Sequence, residues 1–241
     1  MILRLNRYLS MQGVASRREA DRLIGEGRVQ INGRTVEDLG VKVDDEKDRI
    51  TLNGRAVKPG RVLVYLALNK PAGYLVTRDD PEGRPTVMSL LPKMREAVFP
   101  IGRLDLDSEG LLLLTNDGDL AYRLTHPRFE IKKIYSVEVD GEMTDESAAR
   151  LEKGIRLDGR RTAPGRVRVL RRNVRQSVVL VEIHEGRKRE VRRMMETVGH
   201  RVRSLKRVEF AGLTLAALPR GQCRPLKRAE VRSLRSLVGL T

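Results

Sequence analysis

The chain has 241 residues, 40% hydrophobic and 33% charged, which fits one large or two unequal globular domains and excludes a disordered chain. No apolar run approaches the roughly 18 residues of a membrane-spanning helix. The opening MILRLNRYLSMQG lacks the long apolar core and small-residue cleavage site of a secretory signal, so a cytoplasmic protein is expected. The single cysteine, Cys223, fits a reducing compartment, and the three histidines (His126, His184, His200) lie too far apart for zinc-type spacing.

The formal net charge of +16 is unevenly placed. Residues 1–149 hold 23 basic and 24 acidic residues, whereas residues 150–241 hold 25 and 8. An Arg-rich block of this kind points to a polyanionic partner, nucleic acid first, with an anionic membrane surface or mere solubility as the alternatives. Aromatic residues make up only 3% and Trp is absent, which argues against a surface of stacking platforms for single strands.

Along the chain, Leu3, Leu5, Tyr8 and Leu9 fall at helical spacing and Gly13 ends the pattern. Ser16 with Glu19 is a capping-box signature, so a second helix is expected from Arg17, with Ala20, Leu23 and Ile24 as its apolar stripe and Gly25 and Gly27 at its end. VQINGRTV reads as strand, Asn32-Gly33 turn, strand. Alternating apolar residues from Val41 to Leu52 surround an acidic patch, Asp44 to Asp48. Arg17, Arg18, Arg22, Arg28 and Arg34 either share one binding face or form an ordinary solvated surface.

The segment RLNRYLSMQGVASRREADRLIGEGRVQING resembles the S4 RNA-binding module over about 55 residues. The resemblance implies that the second helix and the turn after it form an RNA-binding surface. Its domain is expected to span residues 1–57, with KPGR at 58–61 as a linker and a second domain at 62–241.

Val62 to Leu68 is expected to be a strand buried on both faces. A polar loop follows at 78–86, and Leu111–Leu114 reads as a core strand before an Asn116-Asp117-Gly118 turn. Asp119 is a candidate cap for a short helix to Leu124, KIYSVEVDG is an alternating strand, and Thr144 opens a helix. VRVLR and SVVLVEIH are further strands. GRKREVRRMMETVGH is the strongest helix, with Val191, Met194, Met195 and Val198 on its apolar side and Gly199 at its end. The strands VRSLKRVEF and LTL and a terminal helix near 227–239 complete an α+β pattern with a mixed sheet, without repeats.

Asp105 lies in a loop just before a buried strand, beside Arg103 and two glycines, Gly102 and Gly110. Glycines allow close approach of a substrate, so Asp105 can be a nucleophile or base. On the bare residues, Asp105, Asp107 and Ser108 are equally readable as turn formers. The wider segment decides between the two. GRLDLDSEGLLLLTNDG matches every fixed position of the G-R-L-D-x-x-S-x-G-L-L-L-L-T-N-D-G pattern of pseudouridine synthases, in the branch that carries an S4 module and modifies ribosomal RNA. NKPAGYLVT, KKIYSVEV and HEGRKREVRRMM are similar to three further motifs of that family, in order, and the resemblance runs from about residue 4 to 220.

The resemblance implies a catalytic domain with a central mixed, largely antiparallel sheet flanked by helices. It implies that Asp105 is the catalytic aspartate, acting at C1′ or C6 of a flipped-out uridine or as a base. It places the active-site tyrosine on Tyr135, stacking on uracil and aiding proton removal at C5. It places a basic residue on Arg192, whose fork suits pairing with the Asp105 carboxylate. Asp107 falls on a variable position. RNA contacts are expected from Arg17, Arg18, Arg22 and Arg28 in the first domain. In the second they are expected from Lys70 (on RNA or on the loop after its strand), Arg103, Arg187, Lys188 and Arg189. No metal or cofactor is expected, since the isomerisation is redox-neutral.

The expected activity is isomerisation of one uridine of ribosomal RNA to pseudouridine, first in the peptidyl-transferase region of 23S rRNA, free or in a pre-ribosomal particle. The 16S enzyme is the second choice. A non-catalytic ribosome-assembly factor would not need the trio Asp105, Tyr135 and Arg192, and a metal-dependent nuclease would need more carboxylates than the basic half offers. A monomer without membrane contact is expected.

Overall fold

The computed structural model describes residues 2–57, 62–94 and 96–240. Two compact units emerge, one of Met1–Val64 with Met94–Val98 and Asn116–Gly118, the other of Tyr65–Lys93, Phe99–Thr115 and Asp119–Thr241. The linker expected at 58–61 lies outside the described residues.

In the first unit, Leu3 belongs not to the first helix but to a strand, Ile2–Arg4, paired antiparallel with Lys42–Asp44. Its helical spacing to Leu5 and Tyr8 misleads because strand and helix both turn it into the same core. The helix itself runs Leu5–Met11. The second helix, Arg17–Gly25, begins where the capping signature places it, with the Ser16 hydroxyl accepting the Glu19 N–H at 3.2 Å. A small antiparallel sheet follows in the order Arg34–Val36, Val29–Ile31, Ile50–Leu52, Arg55–Ala56. Asn32 and Gly33 both take positive φ at the hairpin turn. Leu5, Tyr8, Leu9, Ala20, Leu23, Ile24, Val29 and Ile50 fill the core between helices and strands.

The second unit is built on a mixed sheet. Its strands lie in the order Arg166–Arg172, Gln176–Ile183, Lys133–Asp140, Val202–Phe210, Glu109–Thr115, Tyr65–Lys70, Cys223–Pro225. Every neighbouring pair is antiparallel except Val202–Phe210 with Glu109–Thr115. That parallel junction is close. Gly110 stands at φ +106°, and a Cβ there would lie 2.3 Å from the Arg207 carbonyl oxygen, so only glycine fits. All four leucines 111–114 are buried, as a strand covered on both faces requires. Leu111 and Leu113 meet Leu120 and Leu124 of the helix Gly118–Thr125 and Leu234 of the helix Arg228–Leu237.

Three local expectations need correction. The strand expected from Val62 starts at Tyr65, because its partner strand ends at Thr115, opposite Tyr65. Val62 is 66% exposed. The Asn116 side chain binds the Val64 N–H and the Val62 carbonyl there instead. The helix expected over GRKREVRRMMETVGH runs only Glu190–Thr197. Arg189 sits at φ +50°, and the Glu190 carboxylate accepts the Arg187 N–H at 2.9 Å, folding residues 186–189 into a loop. Asp119 lies inside its helix, which starts at Gly118.

Candidate active site

The loop after the Tyr65–Lys70 strand and the loop before Glu109–Thr115 meet over the middle of the large sheet. A cavity of about 830 Å³ opens there. Asp105 lines it, with Tyr135, Lys133 and Arg207 from two central strands and Arg103, Lys188 and Arg189 from loops.

Asp105 is half-buried. Its loop is held by backbone rather than by its carboxylate. Ser108 N–H donates to the Asp105 carbonyl at 3.1 Å, and Gly73 N–H to the Leu106 carbonyl at 2.8 Å. The strongest clamp is Lys70. Its side chain is fully buried, and its Nζ donates to the carbonyls of Ser108 (2.7 Å), Asp105 (3.1 Å), Pro71 (3.1 Å) and Leu106 (3.4 Å). Burial pushes this ammonium down to about 8, against the pull of Glu109, Asp107 and Asp105. Lys70 was expected among residues reaching RNA or fixing the loop; at 0% exposure it cannot reach RNA, and it ties the loop.

Arg192 is also buried, but the carboxylate it meets is that of Asp107, not Asp105. Nη2 lies 3.3 Å from Asp107 Oδ2 and donates to the Asp107 carbonyl at 3.0 Å. Arg189 approaches the same carboxylate at 3.2 and 3.3 Å. Burial favours the neutral Asp107 acid, but the Arg189 bond and the charges of Arg192 and Arg189 outweigh it and hold the carboxyl below its ordinary range. The residue at the motif's variable position therefore anchors both arginines, a role invisible in the spacing.

Tyr135 is 8% exposed on the strand Lys133–Asp140, opposite Val181 on one side and Arg207 on the other. The alternation that puts Val137 and Val139 inward turns Tyr135 to the same face. Two further cations line this wall: Lys133, inside the KKIYSVEV motif but not singled out by it, and Arg207, outside every motif. Lys133 Nζ donates to the carbonyls of Ile131 (2.9 Å) and His184 (3.3 Å). Burial, reinforced by Arg207, pushes it down to about 8. Arg207 is 2% exposed, stacks over Phe210 at 4.7 Å and donates from Nε to the Leu111 carbonyl at 2.8 Å. The available signal was an arginine at an inward-facing position of a strand, between Leu205 and Phe210.

Glu190 was also overlooked. Its carboxyl is buried, and burial with the neighbouring Glu185 carboxylate pushes it up to about 7, against the Arg187 N–H. Arg187, expected to contact RNA, is committed inside the protein. It pairs with Glu185 at 2.9 Å and donates to the Arg160 and Arg161 carbonyls at 3.0 and 2.7 Å. Arg103, Lys188 and Arg189 are exposed at the cavity.

In the first unit, Arg17 and Arg18 are exposed and have no ion-pair partner among the described residues, whereas Arg22 is held by Glu19 and Glu26, and Arg28 by Glu26 and Asn53. Among the described residues there is no group of three or more side chains arranged to hold a metal ion, and no helix long and apolar enough to cross a membrane.

A chain that joins an S4-like unit to a sheet presenting Asp105, Tyr135 and basic side chains to one cavity has the parts of an RNA-modifying enzyme. The family model for RNA pseudouridylate synthase matches residues 64–197, and that for the S4 domain matches residues 3–50. The chain belongs to the RNA pseudouridylate synthase family. It is 44% identical to the ribosomal large subunit pseudouridine synthase B of Bacillus subtilis, covering 97% of this chain and 96% of that one. It is 42% identical to an uncharacterized RNA pseudouridine synthase of Aquifex aeolicus, over 100% and 96%. A crystal structure of a pseudouridylate synthase superposes with a TM-score of 0.70 at 30% identity, covering 96% of this chain and 99% of that one.

Proposed function

We infer that this enzyme converts one uridine of 23S rRNA to pseudouridine. The reaction breaks the N1–C1′ bond, turns the uracil and joins C5 to C1′. A uridine in a stacked helix hides those atoms, so the nucleotide is flipped into the cavity. Its volume of about 830 Å³ suits one nucleotide and its immediate backbone.

The observation that carries this reading is the placement of Asp105. Its carboxylate shares one cavity with Tyr135, on a loop pinned by Lys70 from below and by Arg192 through Asp107. A fixed loop holds a nucleophile or base at one position without using up its carboxylate oxygens. Tyr135 offers a flat ring for the uracil and a hydroxyl for the proton leaving C5. Arg192 acts on the loop rather than on the Asp105 carboxylate, and its buried charge lies close to the Asp107 backbone. Arg103, Lys188 and Arg189 at the cavity and Arg17 and Arg18 in the S4-like unit offer cations to phosphates, which position RNA without reading its sequence. The 44% identity to a large-subunit synthase supports 23S over 16S rRNA as substrate.

The test is pseudouridine formation mapped by nucleotide in unmodified 23S and 16S transcripts and in pre-ribosomal particles, with wild type and Asp105→Asn. One modified 23S uridine with wild type and none with the variant is the expected result. Modification by Asp105→Asn at the wild-type rate would remove Asp105 from the chemistry.

A further inference from the structure

The chain has only eight aromatic residues, five Tyr and three Phe, yet two of them meet a histidine at one corner beside the cavity. His126 and Pro127 line the cavity wall. The His126 ring stacks tilted on Tyr122 with centroids 5.0 Å apart, and Phe129 meets both rings edge-on at 6.5 Å. His126 Nδ1 accepts the Arg128 N–H at 3.3 Å, which helps to orient the ring. The Arg128 guanidinium lies over Phe129 at 4.5 Å and over Tyr122 at 5.7 Å.

Two features separate this corner from an ordinary core edge. Phe129 is packed on the core, but Tyr122 is 49% exposed. Arg128 is exposed, and among the described residues its guanidinium pairs with no carboxylate and lies over the two rings. Arg123, one turn away, has the opposite fate, since its Nη1 donates to the Val238 carbonyl at 2.7 Å. A planar cation laid over aromatic rings and open to solvent is a surface for a nucleobase and its phosphate. Flipping a nucleotide also leaves its neighbours without a stacking partner.

Resting on the RNA-modifying reading above, we propose that Tyr122, His126 and Arg128 form a stacking platform for an unpaired nucleotide adjoining the target uridine. Tyr122 and the outer face of the Arg128 guanidinium carry the base. The Arg128 charge meets the adjoining phosphate, and His126 links the platform to the cavity that takes the uridine.

The absence of Trp from the chain makes a direct test available. Tyr122→Trp in the full-length protein places one indole at the corner. Its fluorescence is expected to be quenched by an unmodified 23S rRNA transcript but not by heparin, a polyanion without bases. Tyr122→Ala is expected to weaken transcript binding on the order of tenfold, without changing its salt dependence, because stacking rather than charge is lost. Arg128→Ala is expected to weaken it as well. An unquenched indole, equal quenching by heparin, or wild-type affinity in Tyr122→Ala would overturn the platform. Should the alanine variant fail to fold, the indole signal decides alone. Wild-type protein that neither binds nor modifies any transcript or particle would overturn the RNA reading and the platform with it. Normal modification beside an unaffected Tyr122→Ala sinks only the platform.

Discussion

Replacing Lys70 by methionine keeps an unbranched side chain of similar length in a fully buried channel, but removes the charge and every donor. The ammonium's bonds to the Ser108, Asp105 and Pro71 carbonyls at 2.7, 3.1 and 3.1 Å disappear. Hydrogen bonds from a charged donor contribute about 1.5–3 kcal/mol each, so the loss is about 4.5–9 kcal/mol. Methionine also removes the cost of burying an ammonium, which is several kcal/mol. The two effects largely offset each other, and the net loss of global stability is expected to stay within about 3 kcal/mol. The loop has no such compensation. Carbonyls that converged on one cation lose it, and they are free to turn away, carrying Asp105 with them. A displacement of about 1 Å at a reacting group costs about a hundredfold in rate. The expected signature is therefore a modest fall in melting temperature with a rate loss of about two orders of magnitude. Single-turnover pseudouridine formation, run beside a thermal melt, reads both. A near-wild-type rate in Lys70→Met would refute the clamp. So would a rate loss no greater than the fraction of protein unfolded, because it would show a structural effect alone.

Gly110→Ala forces a Cβ to within 2.3 Å of the Arg207 carbonyl oxygen at φ +106°, so it is expected to cost about 2–4 kcal/mol, readable by urea unfolding. Glu190 titrates near 7 in the fold against 4.5 when free, so the native state holds the extra proton between those values. Its contribution to stability is complete below pH 4.5 and is lost as pH rises through 7. Glu190→Gln should flatten that decline, and parallel wild-type and variant melting profiles from pH 5 to 8 would contradict the assignment. RNA affinity is expected to fall steeply with salt, and a flat log–log slope would remove the basic half as the binding surface.

Several features follow from local rules that tertiary packing does not override. The Ser16 cap, the Asn32-Gly33 hairpin and the alternating strand through Tyr135 are set by neighbours within a few residues, and they read directly. The place of Asp105 in a loop just before a buried strand was readable too, because its motif is contiguous. The partners of that motif were not. Arg192 sits 85 residues from Asp107 and Lys70 sits 35 from Asp105. No spacing rule states which carboxylate a guanidinium meets across a sheet. The chain's charge pointed to RNA but could not separate free cations from committed ones. Arg187 spends its donors on Glu185 and two carbonyls, whereas Arg128 lies open over two rings. The low aromatic content argues against a stacking surface, but composition averages over the chain, whereas folding gathers Tyr122, His126 and Phe129 at the one corner where the proposed platform lies. The sequence by itself determined most strands, caps and turns and the loop that carries Asp105, because each depends on short-range geometry. Only the tertiary structure decided which charges are buried, what each one meets and which remain open to RNA, because those depend on the sheet order that brings distant strands together.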